Sequence, residues 1–204
     1  MPLTTLTRLR DELVNLYGED KIALFGLLTV RKLIKEWLDN GVTKRHNMLS
    51  FGSSLPTASK PFANYSVTFG EMLAKIDIEG QQTRSARARL LVSAYALWDS
   101  DYRPIIRKEC GEAHIKSDVF GDLRLYRNAI LHQKGKLDDD TKVLKVFRKG
   151  DIIEPTANQL REVFEQLITG LNDLGIRYYG LNPGFEWGRI PYHRRGNNPA
   201  INDK

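Results

Sequence analysis

Along most of the chain, apolar residues recur every three or four positions, the spacing that gathers them on one face of an α-helix. Leu6, Leu9, Leu13 and Leu16 begin the pattern, and Ile22, Leu24, Phe25, Leu28 and Leu33 resume it beyond Gly18, Glu19 and Asp20. Two helices are therefore expected in the first forty residues, ended by Asp39, Asn40 and Gly41. Residues 42–66 differ in kind: Gly52, Ser53, Ser54, Pro56, Ser59 and Pro61 stand among few apolar side chains, the composition of a long loop. From 83 to about 109, Leu90, Leu91, Ala94, Leu97 and Trp98 form a stripe behind Arg84, Arg87 and Arg89. Pro104 lacks a backbone donor and disfavours helical geometry at Arg103, so this helix is expected to kink there, the alternative being an end and a restart.

The next helix is expected over 118–132, on a stripe of Val119, Leu123, Tyr126, Ile130 and Leu131, with Asp118 or Ser117 as its N-cap. Gln133, Lys134 and Gly135 end it. Two short apolar runs, 143–147 and 152–153, flank Lys149, Gly150 and Asp151 and are expected to pair as a small β-hairpin. Thr156 and Gln159 have the spacing of a capping box ahead of Leu160, Val163, Phe164, Leu167, Ile168 and Leu171. After Gly180, turn residues dominate, and Phe185, Trp187 and Tyr192 are the groups able to hold an irregular tail against the surface. The fold class is thus all-α: a helical bundle over 1–180 with one small hairpin, then an irregular basic tail over 181–204.

The 204 residues suit one ordinary domain, and 41% hydrophobic with 27% charged residues is a globular balance. No apolar run reaches the roughly 18–20 residues that cross a bilayer, and residues 1–10 lack the charged start and apolar stretch of a signal peptide, so no membrane partner and a cytoplasmic location are expected. A single cysteine, Cys110, excludes an intrachain disulfide and a cysteine-based zinc cluster. His46, His114, His132 and His193 include no pair at helical ligand spacing, so neither a metal nor another cofactor is expected. The net charge of +6 suits an anionic partner such as RNA.

The residues that point to chemistry are Arg127, Asn128 and His132. At 100° per residue Asn128 and His132 lie one turn apart on a face, while Arg127 is offset by about 140° from His132 and must reach round to join it. Arginine offers a planar fork matched to phosphate oxygens, and histidine moves protons near neutral pH. The bland reading is that an arginine and a histidine at a helix C-terminus cap carbonyls and face the helix dipole.

Arg127, polar Asn128, three further residues and His132 at a helix end resemble the Rx4–6H motif of the HEPN superfamily. The surroundings resemble the larger HEPN families over roughly 83 to 175: a long Trp-bearing helix before the motif, then a glycine, a hairpin and an amphipathic helix. The resemblance implies a homodimer whose two-fold axis joins two Arg–His sets. It also implies metal-independent RNA cleavage that leaves 2′,3′-cyclic phosphate and 5′-OH ends, in toxin–antitoxin or phage-defence settings with a cognate inhibitor protein. His132 would be the acid/base, Arg127 the charge stabiliser, and Asn128 would orient phosphate or His132. Asp99 and Asp101 would support them, as acidic residues on this helix do in several HEPN families, and Tyr126 would line the cleft. Lys134 stands where one toxin subgroup has the tyrosine of His-x-Tyr, so regulation through that tyrosine does not carry over. Arg84, Arg87, Arg103, Arg107 and Lys134 are the expected RNA contacts, joined in the tail by Arg189, His193, Arg194 and Arg195. Two other classes remain: a non-catalytic HEPN domain that binds a nucleotide or partner protein, and a helical regulator with no RNA contact.

Overall fold

The computed structural model describes residues 3–51 and 65–188, within which the chain is mostly helical with one two-stranded antiparallel sheet. Leu6, Leu9 and Leu13 are fully buried, as their spacing requires, but the first helix does not stop at Gly18: α1 is one continuous element, Thr4–Asp39. The expected break fails because Asp20, the last residue of that break, turns inward and lies 3.4 Å from the buried Arg87 guanidinium. After α1 come β1 (Met48–Phe51) and β2 (Tyr65–Thr68), paired from Met48↔Thr68 to Phe51↔Tyr65, so strands stand at 48–51 and 65–68 where a loop over 42–66 was expected, and 52–64 lie outside the described residues. The short α2, Phe69–Lys75, starts at a Thr68–Glu71 capping box.

Helix α3 spans Gln81–Ala96 and continues through a π-helical turn, Leu97–Tyr102, into α4, Arg103–Cys110, with Pro104 in its first turn. A wide turn just before a residue without an N–H is how this helix absorbs its proline. Helix α5 is Asp118–His132 and α6 is Ala157–Tyr179, the latter opening at the anticipated Thr156–Gln159 box. Trp98 stacks on Phe120 at 4.2 Å, and Tyr95 and Arg124 line one cleft, so α3 and α5 run antiparallel. The main core joins α1, α3, α5 and α6 through Leu9, Leu91, Leu123, Tyr126, Phe164 and Leu167. A second, smaller cluster, Ile34, Phe69, Leu73 and Ile76, sits between the far half of α1 and α2.

The hairpin expected at 143–153 is not a ladder. Only an isolated bridge joins Lys136 and Ile152, because the backbone donors upstream have another partner. Asp122, buried on α5, accepts from the N–H groups of Lys142, Val143 and Leu144 at 2.9, 2.5 and 2.9 Å. Leu131, counted in the α5 stripe, is 49% exposed, and Phe120 and Ala129 fill the core instead. Of the tail, 181–188 has no regular structure: Phe185 exchanges two hydrogen bonds with Asn172 and Trp187 packs edge-on against Tyr17 at 4.8 Å. Tyr192 and the basic residues from Arg189 onward lie outside the described residues.

Removing the Asp122 carboxylate leaves buried N–H groups without an acceptor, each cost adding to the loss of a charged hydrogen bond. Asp122→Ala is expected to lower unfolding free energy by on the order of 3 kcal/mol in urea denaturation.

Candidate active site

The end of α5 sets three polar side chains side by side. Arg127 donates from Nη1 to Asn128 Oδ1 at 2.9 Å, and the same nitrogen lies 3.3 Å from His132 Nε2. The long arginine side chain thus closes the angular gap between the two faces. For the second contact to be a hydrogen bond, His132 must be neutral with its proton on Nδ1, since an imidazolium has no lone pair to offer Nη1. Arg127 and Asn128 are half-buried and His132 is exposed. Asn128 therefore holds Arg127, not His132, and the remaining guanidinium N–H groups point to no partner among these three residues.

The inward face of the same turn has a different task. Tyr126, expected to line the cleft, is fully buried: its hydroxyl donates to Leu144 O at 2.7 Å and accepts from Phe147 N at 3.3 Å. Its place in the apolar stripe decides this, and burial pushes the phenol up to about 12. Asp99 and Asp101 do not reach the motif either. Asp99 pairs with Arg103 at 2.7 Å, and Asp101 borders a cleft with Glu12, Asn15 and Glu19. The antiparallel packing puts Trp98 level with Phe120, so Arg127, seven residues further along α5, lies about 10 Å beyond that level.

The expected RNA contacts divide sharply. Arg87 is the clearest correction, for it is 0% exposed: Nη1 donates to Glu79 Oε2 and Nη2 to Ile78 O, both at 3.0 Å, with Asp20 beside Nε. Arg84 is half-buried and donates to Glu79 O at 2.9 Å. Arg103 is held by Asp99, and Arg107 is exposed beside His114 on the far end of the bundle. Lys134 alone of the five adjoins the motif, exposed and at φ 53, a left-handed backbone that forces the chain sharply away after His132. Sequence reasoning missed Asp20, Glu79 and Asp122. Only Asp122 carried a local signal, four residues before Tyr126 on the buried face of α5.

A cavity of about 420 Å³ opens at the other end of α5, among Lys116, Asp118, Val143, Gly170 and Arg177. Asp118 and His132 are fourteen residues apart on one helix, which puts roughly 20 Å between this cavity and the motif. Among the described residues no group of three or more His, Cys, Asp or Glu is placed to hold a metal ion, and no helix is long and apolar enough to cross a membrane. Cys110 is half-buried at the end of α4, and burial pushes its thiol up, which suits packing. No family model matches the chain, and comparison with curated proteins and with solved structures finds no match.

Two outcomes follow from these placements. Arg87→Ala strands the buried Asp20 and is expected to cost about 3–5 kcal/mol in chemical denaturation, whereas Lys134→Ala should stay within about 0.5 kcal/mol of wild type. The unfolded chain releases the Tyr126 proton near its ordinary value while the folded chain holds it to about 12. Unfolding is then favoured as pH rises through that window, so melting temperature should fall above roughly pH 10, and less steeply in Tyr126→Phe.

Proposed function

We propose that this protein is a metal-independent endoribonuclease of the HEPN type, acting as a two-fold dimer through Arg127, Asn128 and His132. The observation that carries the reading is the meeting of guanidinium, carboxamide and imidazole at 2.9 and 3.3 Å, on a helix end where His132 is open to solvent. The ribose 2′-oxygen attacks the adjacent phosphorus as the bond to the 5′-oxygen breaks. One imidazole takes the 2′-OH proton, and a protonated partner, His132 of the second copy, supplies the proton to the leaving oxygen, giving 2′,3′-cyclic phosphate and 5′-OH ends. Arg127 swings its N–H groups onto the phosphorane oxygens, where negative charge builds, and Asn128 fixes the starting position of that fork. Lys134, next to the motif, draws the RNA backbone in. Toxin–antitoxin or phage defence, with a cognate inhibitor protein, is the setting that fits an exposed site of this chemistry.

The test is cleavage of single-stranded RNA in excess chelator. Wild type is expected to cut, His132→Ala to lose at least the roughly 10²–10⁴-fold typical of a general acid/base, and Arg127→Lys to fail because lysine keeps charge without the two-point grip. Both variants should melt as wild type does, since neither residue belongs to the core. Cleavage unchanged in His132→Ala, or lost in chelator and restored by magnesium, would overturn the mechanism and leave the non-catalytic binding domain as the better account.

A further inference from the structure

The second half of α1 leaves the bundle and keeps an apolar face uncovered. Ile22 and Phe25 are each 75% exposed, Leu33 45%, Val30 40% and Trp37 44%, the last with one edge of its ring against Phe69 of the smaller core at 6.3 Å. At 100° per residue these five fall within an arc of about 140°, and the opposite face of the same turns carries Ile34, Leu27 and Leu38 into the smaller core. Gly26 lies on the exposed face, and a Cβ there meets nothing within 4 Å. Single exposed apolar residues are ordinary, but a contiguous stripe of this size on one helix marks an interface.

We propose that this stripe is a self-association surface on which the same half of α1 from a second copy packs antiparallel. Its apolar residues are self-complementary, as an isologous contact requires, while exposed Glu19 and Glu36 meet across the copies at the two ends of the stripe, where Lys32 lies 3.8 Å from Glu36. An axis level with residues 27 and 28 sets Ile22 against Leu33 of the second copy twice over, with the small Gly26 and Thr29 nearest the crossing, where the backbones approach most closely. With roughly 200 Å² per large side chain, the exposed fractions sum to about 500–600 Å² per copy, so complete burial of the stripe on both copies comes to roughly 1,000 Å², the lower bound for a specific interface.

Asp20 against Arg87 places the base of this arm at the N-terminal end of α3, the end at which antiparallel α5 finishes in His132. Antiparallel arms therefore turn both motif-bearing bundle ends toward the axis. That consequence rests on the ribonuclease reading; the surface itself does not.

Sedimentation of the full chain at micromolar concentration is expected to give twice 23.3 kDa, and Ile22→Glu/Phe25→Glu to give the single-chain mass with unchanged far-UV circular dichroism. In a Cys110→Ser background, Gly26→Cys should cross-link between copies through a short bismaleimide and Lys35→Cys, on the opposite side of the helix, should not. A monomeric wild type, a double variant that stays dimeric, or cross-linking at Lys35→Cys in place of Gly26→Cys overturns the surface. Cleavage assays on the monomeric variant separate the two readings: at least a tenfold loss ties the site to the paired arms, and full activity removes the second copy from the mechanism while leaving the surface in place. A dimeric wild type that cuts no RNA defeats the ribonuclease reading alone.

Discussion

One buried charge organises the end of the molecule that carries the motif. Arg87 has no contact with solvent, yet its guanidinium reaches Asp20 on α1, Glu79 in the connection before α3, and the carbonyl of Ile78. Glu79 extends the connection by accepting from the N–H of Ala157, the first residue of α6, at 3.1 Å. Three helices are thereby located by a single cation. Taking such a group out of water is costly, and the arrangement holds only because several acceptors surround it at once. That requirement fixes where α1 leaves the bundle.

The two faces of α5 divide the labour that follows. Asp122 and Tyr126 point inward and supply the hydrogen bonds that a β-ladder would have given the chain at 142–147. Arg127 and Asn128, the next residues along, belong to the other face and bond to each other. The helix is held by its inward polar groups, so the outward ones are available for chemistry without loss of fold.

Two elements could be read directly: α6, from its capping box and unbroken stripe, and the bounds of α5, from its stripe and its stop at Gln133, although its N-cap Ser117 makes no side-chain cap bond. The reach of Arg127 round to His132 was also readable, because it follows from helix geometry and side-chain length alone. Failures share a physical cause, namely that side chains of one type play opposite parts according to distant partners. Arg87 resembles Arg84 and Arg89 in sequence, and only Asp20, on another helix, makes it a buried ion. Gly18 looked like a stop until Asp20 was committed elsewhere, and 143–153 looked like a hairpin until its donors found Asp122.

The uninterrupted run of α1 has a mechanical meaning. At 1.5 Å per residue its 36 residues make a rod of about 54 Å, gripped over its first half by the bundle and by Phe185 and Trp187 of the tail. Beyond Asp20 the outer half is a lever that carries α2 with it, through Ile34 against Phe69 and Leu73 and through Arg31 paired with Asp77 at 3.0 Å. Tilting such a lever by about 5° carries its tip by roughly 2–3 Å, so small adjustments in how the bundle seats on α1 become displacements comparable to a hydrogen-bond length at the far end. Anything seated on the tip is mechanically geared to the packing around Arg87.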